Sequence, residues 1–190
     1  MITKCELRKL GNKPRVHPNG FIQLDLDAAR RLHVWHPRLP YRQKTFSPVH
    51  DHIFDFDSEL LVGRLVNVKY LPKENASGSH QKWQVGLIAG ENTKLMKVDE
   101  VRYSLYPVEV NITQPGYVYH MEKYVLHETL TNEPTMTIMT KSNAELTTGP
   151  NCQGASVMVP WNEEPDNDFR RDAVDTHILW GLIDETLNRC

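Results

Sequence analysis

The sequence predicts a mainly β domain, a sandwich or barrel of short strands, with one helix closing the chain. Three observations carry this expectation. Apolar and β-branched runs recur about every ten residues with turn signals between them. Residues 31–35 alternate cleanly, with Arg31, His33 and Trp35 on one side and Leu32 and Val34 on the other. Helical spacing of apolar residues emerges only near the end of the chain.

The elements follow in order. The first 20 residues are polar, carry Pro14, Pro18 and Gly20, and read as an irregular arm. "GFIQLDL" (20–26) and "AARRLHVW" (28–35) read as strands. "HPRLPYRQKTFSP" (36–48) holds three prolines and is a loop. Strand character returns across "HDHIFDFDSELLVG" (50–63) and "RLVNVKYLP" (64–72). After a polar turn, "KWQVGLIAG" (82–90) reads as the returning arm of a hairpin. Residues 91–105 fit no single pattern. "YPVEVNI" (106–112), "YVLHETL" (124–130), "TMTIMT" (135–140) and "ASVMVPW" (155–161) complete the strands, with a turn at "TQPGY" (113–117) and a loop over 141–155. "PDND" (165–168) offers N-cap residues. Phe169, Ala173, Val174, Ile178, Leu179, Leu182, Ile183 and Leu187 then place a helix over roughly 168–188. The organisation expected is an arm (1–19), a barrel (20–161) and a C-terminal helix packed on it (162–190).

Composition excludes several functions. The chain of 190 residues is the size of one domain with a real core. Its net charge of −2 and the lack of a basic run argue against nucleic acid. No apolar run is long enough to span a membrane. The N-terminus lacks the apolar core of a signal peptide, so the cytoplasm is the expected location. Cys5, Cys152 and Cys190 are odd in number and far apart, which is no disulfide framework.

The chemistry concentrates in the histidines. On an extended chain His50 and His52 point to one face, and two imidazoles at that spacing suit a divalent ion. Asp55, Asp57 and Glu59 stand at odd offsets, on the opposite face unless a bulge reverses them. With such a bulge none of the three acids is excluded as a further ligand. Asp55 reads equally as an acceptor for a histidine N–H or as a local turn former. A third imidazole comes from a distant segment: His127, between apolar neighbours in a strand, or His120, beside a turn at a pocket mouth. If the Arg31–His33–Trp35 face is internal, Arg31 can meet a substrate carboxylate and His33 can take part in proton transfer. Tyr119 joins His120 as a candidate for the pocket mouth.

This pattern resembles the cupin superfamily, whose fold is a double-stranded β-helix of the jelly-roll type. His50, His52, Asp57 and Gly63 fit the outline of the first cupin motif, with Asp in place of the commoner Glu. Pro115-Gly116 and His127 approximate the second, at a longer spacing. "RLHVW" (31–35), "HDHIFDF" (50–56), Ser58, Gly63, His127 and "PTMTI" (134–138) are similar to a group of small, uncharacterised bacterial and phage cupins. The resemblance spans about residues 20–140. It implies a site of His50, His52 and His127, with Asp57 as a weaker ligand, for Fe(2+) or another divalent ion such as Zn, Ni or Mn. It implies an enzyme of non-haem dioxygenase type acting on a small molecule, distantly similar to thiol dioxygenases. Two alternatives stand beside it: a metal-free epimerase or isomerase of the sugar-nucleotide type, and a small-ligand sequestering cupin that is no enzyme. A homodimer through an edge strand or the terminal helix is common in such folds.

Overall fold

The computed structural model describes residues 3–41, 48–86, 94–143, 154–165 and 170–189. These form strands β1 (Arg15–His17), β2 (Phe21–Asp25), β3 (Arg30–Trp35), β4 (Asp55–Val62), β5 (Leu65–Glu74), β6 (His80–Gly86), β7 (Lys94–Lys97), β8 (Tyr103–Thr113), β9 (Val118–Met121), β10 (His127–Leu130), β11 (Thr135–Ser142) and β12 (Ser156–Pro160). Helices α1 (Lys4–Lys9) and α2 (Thr176–Leu187) flank them. The strands make two antiparallel sheets, β1-β2-β3-β11-β4-β9 and β10-β5-β8-β6-β12, with β7 paired to β6. This is the mainly β sandwich with a C-terminal helix that the sequence predicts.

Alternation decides what each face of the first sheet meets. Ile22, Leu24, Leu32, Val34 and Met136 point outward. They pack with Leu179, Leu182 and Ile183 of α2 and Leu7 of α1 into the largest buried apolar cluster among the described residues. The residues between them, such as Gln23, Arg31 and His33, point inward between the sheets, where they line a cavity. The largest apolar cluster therefore lies between sheet and helices, while the cavity between the sheets is lined by polar side chains together with Phe21, Trp35, Phe56 and Met139.

Several elements differ from the sequence reading. Residues 3–17 are not an irregular arm. Thr3 and Glu6 form a reciprocal capping box that starts α1, and β1 pairs with β2 across a Pro18-Asn19-Gly20 turn. In that turn Gly20 has φ +79° and donates its N–H to His17 O. The strands at 64–72 and 82–90 do not form a hairpin, because β8 lies along β5 throughout its length, while β6 pairs with β12. Within the ambiguous 91–105 region, β7 takes 94–97 and β8 begins at Tyr103. In the 124–130 run only His127–Leu130 is strand. Tyr124 has φ +63°, which turns the chain just before it.

The C-terminal helix is shorter than the apolar spacing suggests. It starts at Thr176, where the Asp175 side chain accepts the His177 N–H at 2.7 Å and caps the first turn. Val174 still joins the core from the turn before the helix. Ile178 is exposed. The expected cap at 166–168, Phe169, Cys152, Cys190, residues 87–90 and most of the 141–155 loop lie outside the described residues. Among the described residues no helix is long and apolar enough to cross a membrane.

Gly63 closes the β4–β5 turn with φ +83°, and a Cβ there would stand 2.5 Å from Thr135 Oγ1 and 2.6 Å from Pro134 O. Gly116 has a similar φ of +85° with nothing near. Gly63→Ala should therefore cost roughly 2–3 kcal/mol in urea unfolding and Gly116→Ala only about 1 kcal/mol. Equal losses at the two positions would show that the close approach to β11 does not matter.

Candidate metal centre

The segment Val49–Asp51 enters the second sheet between two strands that are far apart in sequence. His50 donates its N–H to His127 O at 3.0 Å and accepts the His127 N–H at 2.9 Å. On its other side Asp51 donates its N–H to Ser156 O, and Met158 donates to Val49 O, both at 2.9 Å. His50 and His127 are thus direct cross-strand partners, and partners of this kind share a face. Their ring centroids lie 4.7 Å apart. His52, two residues further along the extended chain, falls on the same side, 4.9 Å from His50 and 5.2 Å from His127. Ring nitrogens of the three lie within 4.8 Å of one another.

Asp51, between the two histidines, points the other way. Its carboxylate accepts the Ser156 N–H at 2.5 Å and is buried there. This contact pins the segment against β12, and burial raises the carboxyl pKa while the Ser156 bond opposes the rise.

Backbone carbonyls set the tautomers. His50 Nδ1 lies 2.8 Å from Pro48 O, and His127 Nδ1 lies 3.0 Å from Val125 O. A carbonyl only accepts, so each Nδ1 carries the proton and each Nε2 keeps its lone pair. His52 packs against Phe54 and Phe56, at 5.0 and 5.1 Å between ring centroids. Burial in this apolar collar, with the neighbouring imidazoles, pushes the His52 pKa well below its usual value. Burial also lowers that of His50 and takes His127 to about 3. The three rings are neutral near pH 7, the form in which imidazole binds a metal. The donor set, three neutral nitrogens with two of them oriented by carbonyls, fits a divalent transition ion.

The rings open into a narrow cavity of about 60 Å³ between the sheets. Arg31, His33 and Trp35 line it from β3 and Tyr119 from β9. Burial raises the Tyr119 phenol and lowers His33 to about 3. Asn19, Trp35, Pro48 and Thr129 are shared with a wider groove of about 400 Å³, which forms the approach from outside.

Two candidates from the sequence stand elsewhere. Phe56 and Ser58 are buried, so Asp57 between them faces outward. There it accepts from His120 Nδ1 at 2.8 Å, with both side chains more than half exposed. Asp57 is not among the imidazoles, and His120 does not reach the cavity, because β9 is a strand in register with β4 and the alternation holds. Asp55 contacts no histidine ring. It accepts from Lys123 N–H and from Asn143 Nδ2, each at 2.8 Å, and so ties two loops together.

The sequence reading missed His17, Asn19 and Gln23, which also line the cavity. His17 stacks on Phe21 at 4.2 Å and is held neutral by burial. The His17-Pro18-Asn19-Gly20 turn before an apolar run is the signal that would have placed His17 beside Phe21 in a hairpin.

No family model matches the chain, and no curated protein does. Among solved structures it is similar to hydroquinone 1,2-dioxygenase from Sphingomonas sp. TTNP3 with 4-hydroxybenzoate bound. That likeness has 10% identity and a TM-score of 0.34, over 67% of this chain and 70% of that one. It is also similar to E. coli ycfD, with 13% identity and a TM-score of 0.34, over 90% of this chain and 41% of that one.

The buried rings have a consequence for stability. In the unfolded chain each histidine takes up a proton near pH 6.5, whereas folded His33 and His127 do so only near 3. Between these values the unfolded state binds more protons, so stability is complete above about pH 6.5. It is lost as pH falls toward 3, at about 1.4 kcal/mol per pH unit for each histidine. Thermal melts of metal-free protein from about pH 7 to about pH 4.5 should show a steep fall in Tm, made shallower by His33→Gln. A flat profile would show that these rings are not held neutral.

Proposed function

We propose that this protein is a cupin-type metalloenzyme that holds one divalent transition ion on His50, His52 and His127 and acts on a small molecule as an Fe(II) dioxygenase. The observation that carries the proposal is the meeting of three ring nitrogens within 4.8 Å, contributed by two distant segments. His50, His52 and His127 would hold the ion, which would supply Lewis-acid and redox chemistry there. The chain's own side chains do the rest. Pro48 O and Val125 O fix the ring orientations of His50 and His127. Phe54 and Phe56 pack against the His52 ring and restrict its orientation. Neutral His33 and the Tyr119 hydroxyl offer hydrogen-bonding groups to a substrate in the cavity.

The blocks that resemble small bacterial and phage cupins support this reading, and a cytoplasmic location and assembly as a dimer belong to the same proposal. A metal-free epimerase would need a histidine base. A His127 ring that gains its proton only at about 3 is a weak acceptor at neutral pH, which favours the metal reading.

Metal analysis after reconstitution with Fe(II) should find close to one ion per chain. His50→Ala and His127→Ala should each weaken metal binding by at least tenfold, whereas Asp57→Asn should leave it unchanged. Oxygen uptake with a panel of small acids and thiols then tests turnover. Full metal content in His50→Ala would overturn the site, and tight binding of a small molecule without oxygen uptake would favour the sequestering alternative.

A further inference from the structure

We infer that this chain pairs with a second copy of itself along the free edge of β8, antiparallel about a two-fold axis at Val110. The inference gives a surface to the dimer proposed above and rests on nothing in the metal site.

For most of its length β8 has a neighbour on one side only. β5 runs along it from Tyr103 to Thr113. On the other side β6 meets it at Tyr103 alone, through His80. Among the described residues, 104–113 have no strand partner on that side. A row of unpaired N–H and C=O groups is a template for another strand.

The side chains along this edge are apolar and face water. Val108 is 62% exposed, Val110 58% and Ile112 55%. Ile112 pairs with Val66 of β5, and Val66 with Leu130 of β10, which is exposed too. Thr129 lines the cavity, so Leu130 beside it points outward. Cross-strand partners share a face, so Ile112, Val66 and Leu130 form an apolar row on the outside of the second sheet. Val110 stands beside that row, two residues along the same strand. Single exposed apolar residues are ordinary, whereas a row that runs out at an open edge marks a contact surface.

One register makes the strand complementary to itself. With Val110 opposite Val110 of the second copy, Glu109 stands opposite Asn111, and Ile112 reaches Val108. Apolar groups meet apolar groups, and Glu109, the one charged residue of β8, meets an amide. Within one chain Asn111 Nδ2 already donates to Glu109 Oε1 at 2.5 Å, and Lys69 balances the charge at 3.0 Å. Centring the pair on Glu109 would oppose two carboxylates, and centring it between residues would set apolar against polar side chains. Centring it on Asn111 would set Glu109 against Thr113, whose side chain is buried. Pro107 has no N–H to offer, and the β5 register shifts opposite 107–109, so the pairing ends there. A two-fold contact of this kind closes with two copies and leaves no edge for a third.

The test is sedimentation of the full chain over a range of concentrations. Wild-type protein should reach twice the chain mass and dissociate on dilution. Val110→Lys opposes two ammonium groups at the axis and should weaken association at least about tenfold, with an unchanged melt and unchanged metal content. Ile178→Lys, on the exposed face of α2, should leave association as it was. Opposed Cα atoms in such a pair lie about 4.5–5.5 Å apart, a span that a disulfide bridges. Val110→Cys should therefore cross-link on mild oxidation well beyond the wild-type background. His50→Ala should lose metal yet keep the dimer, which separates failure of the metal site from failure of this surface. A wild-type chain that stays single up to about 100 µM would overturn the inference, as would a folded Val110→Lys protein that associates undiminished. Should Val110→Lys not fold, a Val110→Cys chain that cross-links no more than wild type would overturn it instead.

Discussion

The pair of backbone hydrogen bonds between His50 and His127 is the contact on which the rest depends. Residues separated by 77 positions in sequence become cross-strand neighbours because three extended residues, Val49–Asp51, fit between β10 and β12. Once they are paired, the geometry of an antiparallel bridge sets both side chains on one face at a distance that backbone spacing imposes. His52 follows from the two-residue period. The grouping of imidazoles is a product of main-chain pairing, and no side chain has to be bent to achieve it. Asp51 gives that pairing its stiffness from the back.

Desolvation explains the form of the rest. Five histidines, an arginine, a glutamine and a tyrosine line the cavity between the sheets beside Phe21, Trp35, Phe56 and Met139, in a place where a sandwich normally keeps an apolar core. Neutral imidazoles tolerate such a place far better than charged groups. They add little of the apolar burial that stabilises a fold. That burial comes from the other side of the first sheet, where α1 and α2 cover Ile22, Leu24, Leu32, Val34 and Met136. The helices are thus a condition for the polar interior, since without them the outward strand residues would face water.

Period and turn chemistry made much of this legible in the sequence. The alternation at 31–35 placed Arg31, His33 and Trp35 together, and the same rule put Asp55, Asp57 and Glu59 on the face away from the histidines. Long-range pairing was not legible. A strand reading of 64–72 and 82–90 gives no hint that β8 will come between them, because nothing local selects a partner strand. His17 was overlooked for a related reason: a three-residue strand gains its identity only from β2 beside it. The helix starts later than the apolar spacing implies because Val174 packs from a turn as well as it would from a helix. His120 looked like a turn residue until β9 was seen to pair with β4.

Placing the largest apolar cluster outside the sandwich partly separates two demands that most domains satisfy with the same residues. Foldability resides in the helix-covered layer, and chemistry resides in the lining of the interior. Exchange of one polar lining group for another changes what the interior recognises while the layer that carries the folding energy stays as it was. Such a scaffold is free to drift toward new ligands over generations without first acquiring compensating stability.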